Sequence, residues 1–115
     1  MAARPGMKVR GSTTGRPIMV LLDLLGRRWA LRILWELRAG GLKFRELQAA
    51  CGDISPTVLN TRLAELREAA ILDTGEDGYR LTKQGDDLIA ALLPLHLWAE
   101  DWAAAISAAG IRDRP

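Results

Sequence analysis

From Pro17 onward the apolar positions of the chain fall into five helical stretches and one pair of short strands; the sixteen residues before it have no period. Ile18-Met19-Val20-Leu21-Leu22-Asp23-Leu24-Leu25 is apolar on nearly all sides, which predicts a short helix covered by protein on more than one face, and Gly26 ends it. Its own domain need not supply all of that cover. Arg27-Arg28-Trp29 opens a second helix in which Trp29, Ile33 and Leu37 run at helical spacing beside Ala30 and Leu34, until Gly40-Gly41 stops it. Leu42 to Cys51 predicts a third short helix with Phe44, Leu47 and Cys51 inward and Lys43, Arg45 and Gln48 outward.

After Gly52-Asp53 the pattern sharpens. Ser55 can accept a hydrogen bond from the free N–H groups of a first helical turn, and Pro56 suits the first helical position, where no N–H is needed. At roughly 100° per residue, Leu59, Leu63, Leu66 and Ala70 share one sector, while Thr57, Asn60, Thr61 and Ala64 lie opposite. The outward face thus carries short hydrogen-bonding side chains, with Arg62 and Arg67 at its margins. Small polar groups flanked by cations suit a helix that enters a DNA major groove. Two helices joined by a tight Gly-containing turn, the second capped and polar outside, predict a helix-turn-helix.

Ile71 to Thr74 and Tyr79 to Thr82, around Gly75-Glu76-Asp77-Gly78, read as a β-hairpin. Thr82 then caps a last helix with Leu88, Leu92, Leu95, Trp98, Trp102 and Ile106 at helical spacing, closed by Gly110. The expected fold is mainly α with a small β-hairpin wing, a winged helix-turn-helix. Residues 1–16 are expected to be a disordered basic arm, 17–109 the domain and 110–115 a tail.

Composition narrows the chemistry. The sole cysteine, Cys51, excludes an internal disulfide, and the sole histidine, His96, leaves no cluster of metal ligands. No cofactor is implied, and Ser55 has no histidine base in reach, so nothing supports an enzyme. The charge-free apolar run from Leu88 to Ala99 is too short to span a bilayer, and no apolar segment before Ile18 could serve as a signal sequence, so a cytoplasmic protein is expected. The net charge of +2 hides a polarity: residues 1–50 hold ten Lys or Arg against three Asp or Glu, and residues 51–115 six against eleven. That asymmetry favours an anionic partner on one side, though solvated faces without a partner would look the same.

Several motifs in order, Asp23-Leu24-Leu25-Gly26-Arg27-Arg28-Trp29, Ile33-Leu34-Trp35-Glu36-Leu37, Phe44-Arg45-Glu46-Leu47, Ile54 to Leu63 with Leu66, and Leu81-Thr82 with Gly85, give the chain a family likeness. From about Pro17 to Trp102 it resembles the HxlR-type winged-helix transcriptional regulators, relatives of the MarR group. The resemblance implies a bacterial homodimer that binds operator DNA and pairs through its first and last helices. It departs from the family in three places. Arg16 stands where redox-sensing members keep a cysteine, the wing is short and acidic at Glu76-Asp77, and Thr57 occupies a position that is often lysine. A thiol switch is therefore not expected, and acidic groups would be repelled by a phosphate backbone.

The candidate contacts to double-stranded DNA are Lys43, Arg45, Ser55, Thr57, Asn60, Thr61, Arg62 and Arg80. Asn60 is placed to bond adenine N6 and N7 together. Arg62 either clamps a phosphate or pairs with a nearby carboxylate, Lys43 and Arg45 either meet phosphates or stay solvated, and Ser55 is most simply a cap. Ile18, Leu21, Leu22, Leu25, Leu95, Trp98 and Trp102 are the candidate dimer interface. Cys51 reads as a buried apolar side chain, and His96 as a packing or interface residue. Trp98 and Trp102 could line a pocket for a planar effector with Trp29 or Trp35, against the simpler reading of core or dimer packing. Two functions remain open: a dimeric DNA-binding regulator responsive or not to an effector, or a winged-helix protein-interaction module whose acidic wing faces a protein.

Overall fold

A computed structural model describes Pro5, Gly6 and residues 15–110. Its order is α1 (Pro17–Leu25), α2 (Ala30–Glu36), α3 (Phe44–Ala50), α4 (Pro56–Glu68), β1 (Leu72–Gly75), β2 (Gly78–Leu81) and α5 (Lys83–Ala109), with a short 3-10 turn at Leu37–Ala39. The architecture is the mainly helical winged helix-turn-helix that the pattern predicts. Most of the basic arm expected over 1–16, and the tail beyond Gly110, lie outside the described residues. Among the described residues no helix is long and apolar enough to cross a membrane.

The centre is α2, which packs against α1, α3 and α5. Ile33, Leu34 and Leu37 meet Leu47, Leu59, Leu63, Leu66 and Leu72 in one core where none of these exceeds 2% exposure. Fully burying such a side chain contributes about 1.5 to 3 kcal/mol, so these leucines set the relative positions of α2, α3 and α4.

Long-range contacts move several expected boundaries. Trp29 does not open α2 but precedes it with φ 76, a left-handed conformation rare for a bulky residue. It belongs to the tight reversal from α1 into α2, closed by the Ala30 N–H on the Arg27 carbonyl at 3.1 Å. Leu42 does not start α3: its N–H and carbonyl bond Tyr79 at 2.9 and 2.8 Å, adding an isolated rung to the antiparallel wing. Gly78, at φ +100, permits that approach, since a Cβ there would lie 2.4 Å from the Leu42 carbonyl oxygen. Ala70, expected on the buried face of α4, lies past its end at φ 62 and is exposed, turning the chain so that Ile71 is buried instead. The strands pair Leu72 with Leu81 through Gly75 with Gly78, one residue off the expected bounds, because the Ile71 N–H is taken by the Leu66 carbonyl at the end of α4 and Thr82 is taken up as the cap of α5.

The Thr82 hydroxyl accepts from the Gly85 N–H at 3.1 Å, and Gly110 ends α5 in the left-handed conformation. At about 1.5 Å per residue, the 27 residues of α5 run roughly 40 Å, yet only Gly85 and Ile89 are buried. Leu88 and Leu92 pack against the core, whereas Leu93, Leu95, Leu97, Trp98 and Trp102 remain exposed. On α1, Ile18 and Leu22 are exposed by 57% and 53%. Leu25, expected at an interface, is instead in the domain's own core at 8%, and Leu21 packs partly against that core, because α1 turns the Val20, Leu24, Leu25 side inward.

Candidate nucleic-acid interface

Three short-range devices and one long-range one hold α4. The Ser55 hydroxyl accepts from the Val58 N–H at 3.2 Å, so this candidate contact is engaged as a helix cap. Before it, the Asp53 N–H bonds the Gln48 carbonyl at 2.9 Å. Gln48, expected to face outward, is half-buried and donates its side-chain amide to the Ile54 carbonyl at 2.9 Å, fixing the turn between α3 and α4. Leu59, Leu63 and Leu66 face the core, leaving Thr57, Asn60, Thr61 and Ala64 exposed together on the opposite face.

These exposed groups differ chemically. The Thr61 hydroxyl donates to the Thr57 carbonyl one turn back at 3.0 Å, which leaves its oxygen as an acceptor. Asn60 and Thr57 make no side-chain hydrogen bond among the described residues, so the amide of Asn60 keeps both donor and acceptor available. Lys43 and Arg45 are exposed at the start of α3, the end away from the turn into α4; the Lys43 N–H donates to Glu46 at 2.8 Å, which anchors that start.

Two candidate cations are committed elsewhere. Arg62 donates from Nε to the Arg28 carbonyl at 2.8 Å and pairs through Nη1 with Glu65 at 2.9 Å, so the carboxylate partner, not a free guanidinium, describes it. Arg80 pairs with Asp73 across the hairpin at 2.9 Å, its guanidinium lying over Gly75. The wing therefore presents Glu76 and Asp77 at its tip with its single cation held by an acid. The pattern did not single out Arg27, which bonds Glu65 at 2.8 Å and Asp23 at 3.1 Å. Only the Asp23 spacing, one helical turn away, is a sequence signal.

Trp98 and Trp102 stack on each other, centroids 5.7 Å apart and planes at 14°, and neither lines the cavity beside Trp35. Along α5 Trp98 stands between His96 and Ala99, which line that cavity, but helical spacing puts both tryptophans on a different face. Arg28 lies over Trp29, and Trp35 meets Arg38 on one side and His96 on another at 5.2 Å. An open, largely apolar cavity of about 350 Å³ lies between α2 and α5, lined by Leu31, Trp35, Leu92, Leu95 and His96. Cys51 is 1% exposed and outside it; burial pushes its thiol pKa up, Arg32 pulls it down less, and Glu36 pushes it up slightly. Among the described residues no group of three or more His, Cys, Asp or Glu is placed to hold a metal ion.

Comparison with known proteins agrees with this geometry. A family model described as HxlR-like helix-turn-helix matches residues 24–107. An HTH-type transcriptional regulator of Mycobacterium tuberculosis is 34% identical over 102 residues, covering 83% of this chain and 61% of that protein. The chain thus spans about three fifths of the length of this relative. YvaP, an HTH-type transcriptional regulator of Bacillus subtilis, is 31% identical over 88 residues, 70% of this chain and 82% of its own. The crystal structure of quinone-bound YodB from B. subtilis superposes with a TM-score of 0.68 at 31% identity, covering 73% of this chain and 96% of that one.

Proposed function

The chain belongs to the HxlR-like helix-turn-helix family, and we propose that two copies of it form a cytoplasmic, sequence-specific regulator of transcription acting on a palindromic operator. The observation that carries this is the outer face of α4, where Thr57, Asn60, Thr61 and Ala64 are exposed together on a capped, core-anchored helix. Short polar side chains let the helix approach base edges closely, and Asn60 has the donor and acceptor pair that adenine matches. Lys43 and Arg45 flank it for phosphate contact. The acidic wing takes no part in phosphate binding. Copies pair through Ile18 and Leu22 of α1 and Leu95, Trp98 and Trp102 of α5. At roughly 1.5 to 3 kcal/mol per large apolar side chain buried, five per subunit outweigh association costs of about 10 kcal/mol.

A small effector fits the cavity between α2 and α5, where Trp35 and His96 give flat walls. YodB was crystallised with a quinone, a planar ligand of that kind. Because Cys51 is buried and Arg16 precedes α1, such a ligand is held here without a thiol.

Selection of bound duplexes from a random DNA pool tests the reading. An imperfect palindrome with half-sites about 34 Å apart, bound with an affinity that falls steeply with salt, is the expected result. Recovery of no preferred sequence, with weak and salt-insensitive retention, favours a protein-interaction module, the reading to which the acidic tip Glu76-Asp77 points.

A further inference from the structure

We infer that Glu65 is a positioning residue for α4, setting the roll of the helix about its own axis so that Thr57 and Asn60 meet base edges in register. This rests on α4 being the DNA-reading helix. The three buried leucines fix how deep α4 sits and their close packing limits its roll, but apolar contact has no direction of its own and sets the final angle only within the play of that packing. A roll of about 20° moves a side-chain tip roughly 5 Å from the axis by nearly 2 Å, enough to break a paired hydrogen bond to one base.

Directional bonds oppose that roll, and they converge on one carboxylate. Glu65 Oε2 accepts from Arg27 Nη1 at 2.8 Å, across 38 positions of sequence, and Oε1 accepts from Arg62 Nη1 at 2.9 Å. Arg27 is itself held by Asp23 of α1 at 3.1 Å, and Arg62 by the Arg28 carbonyl at 2.8 Å. All four side chains are a quarter or less exposed, so solvent screens these pairs less than the wing pair Arg80–Asp73, which is more than half exposed. The planar guanidinium forks hold angle as well as distance. The same chain of bonds joins α4 to the end of α1, whose outer face carries Ile18 and Leu22.

The test compares Glu65→Asp, Glu65→Gln and, on the other flank of α4, Asp73→Asn. Binding of the full chain to a pool-selected duplex and to a random duplex of equal length is read by fluorescence anisotropy. Aspartate keeps the charge but is one methylene too short to span both guanidinium groups, whereas Asp73→Asn removes a charge near the same helix without touching its anchor. Both Glu65 variants are expected to lose about tenfold in the ratio of selected to random affinity. Random-duplex affinity should hold in Glu65→Asp and rise in Glu65→Gln, as in Asp73→Asn, because removing a negative charge favours phosphate. Asp73→Asn should keep the ratio. A generic loss of stability would lower both affinities together and leave the ratio alone. If Glu65→Gln does not fold by circular dichroism, Glu65→Asp decides. A native protein that prefers the selected duplex, with that preference intact in the Glu65 variants, overturns the positioning role. A native protein with no preference overturns DNA reading by α4, and this role with it.

Discussion

α4 and α5 begin alike and end differently. Each starts at a hydroxyl cap, Ser55 and Thr82, and each carries an apolar stripe at helical spacing. Over 13 residues α4 buries Leu59, Leu63 and Leu66 almost completely, while α5, twice as long, buries Gly85 and Ile89 and leaves Trp98 and Trp102 exposed by 59% and 52%. Periodicity reports which face of a helix is apolar and not what covers it. The stripe of α4 finds α2 and α3 in the same chain; the outer half of α5 keeps only an open contact with α2, through His96 on Trp35, and turns Trp98 and Trp102 away from the body.

Substitutions should separate the two helices by what their apolar faces are buried in. The largest effect is expected where α5 is rooted. A Cβ on Gly85 would sit 2.1 Å from the Ile71 carbonyl oxygen, a backbone atom that cannot swing aside. Gly85→Ala should therefore cost about 3 kcal/mol or more in urea unfolding. Leu63→Ala should come next, at about 2 to 5 kcal/mol, and equally at every protein concentration because its cavity is internal. Trp98→Ala with Trp102→Ala should weaken self-association by on the order of 2 to 4 kcal/mol in sedimentation, and lower the melting temperature in a concentration-dependent way. A concentration-independent loss from the tryptophan pair would mean that the outer face of α5 is buried within one chain, as that of α4 is.

Smaller effects belong to the outer face of α4. Asn60→Ala should lose about 1 to 3 kcal/mol of discrimination at one base position per half-site without unfolding the domain. The smallest effect is expected at Cys51. Its raised thiol pKa means the folded state keeps its proton where the unfolded state loses it, so stability is full below the ordinary thiol pKa and declines as pH rises above it. Cys51→Ala should remove that alkaline decline, and diamide should leave DNA binding unchanged in the native protein, because a buried protonated thiol reacts slowly. Diamide sensitivity that disappears in Cys51→Ala would contradict this.

What acts within a few residues was legible along the chain. Ser55-Pro56, Thr82 and Gly110 mark helix ends because a cap needs only its own first or last turn, and the two faces of α4 follow from spacing alone. The hairpin was readable within one residue for the same reason. What depends on a partner far along the chain emerged with the fold. The reach of Arg62 for the Arg28 carbonyl and of Arg27 for Glu65, the rung between Leu42 and Tyr79, the inward turn of Leu25 and the close packing of Gly85 on Ile71 have no local signature. A cation in the sequence is available to phosphate or to carboxylate alike, and the fold alone determines which anion it meets. Hydrogen bonds and ion pairs act over a few ångströms of space, whereas the sequence records distance along the chain.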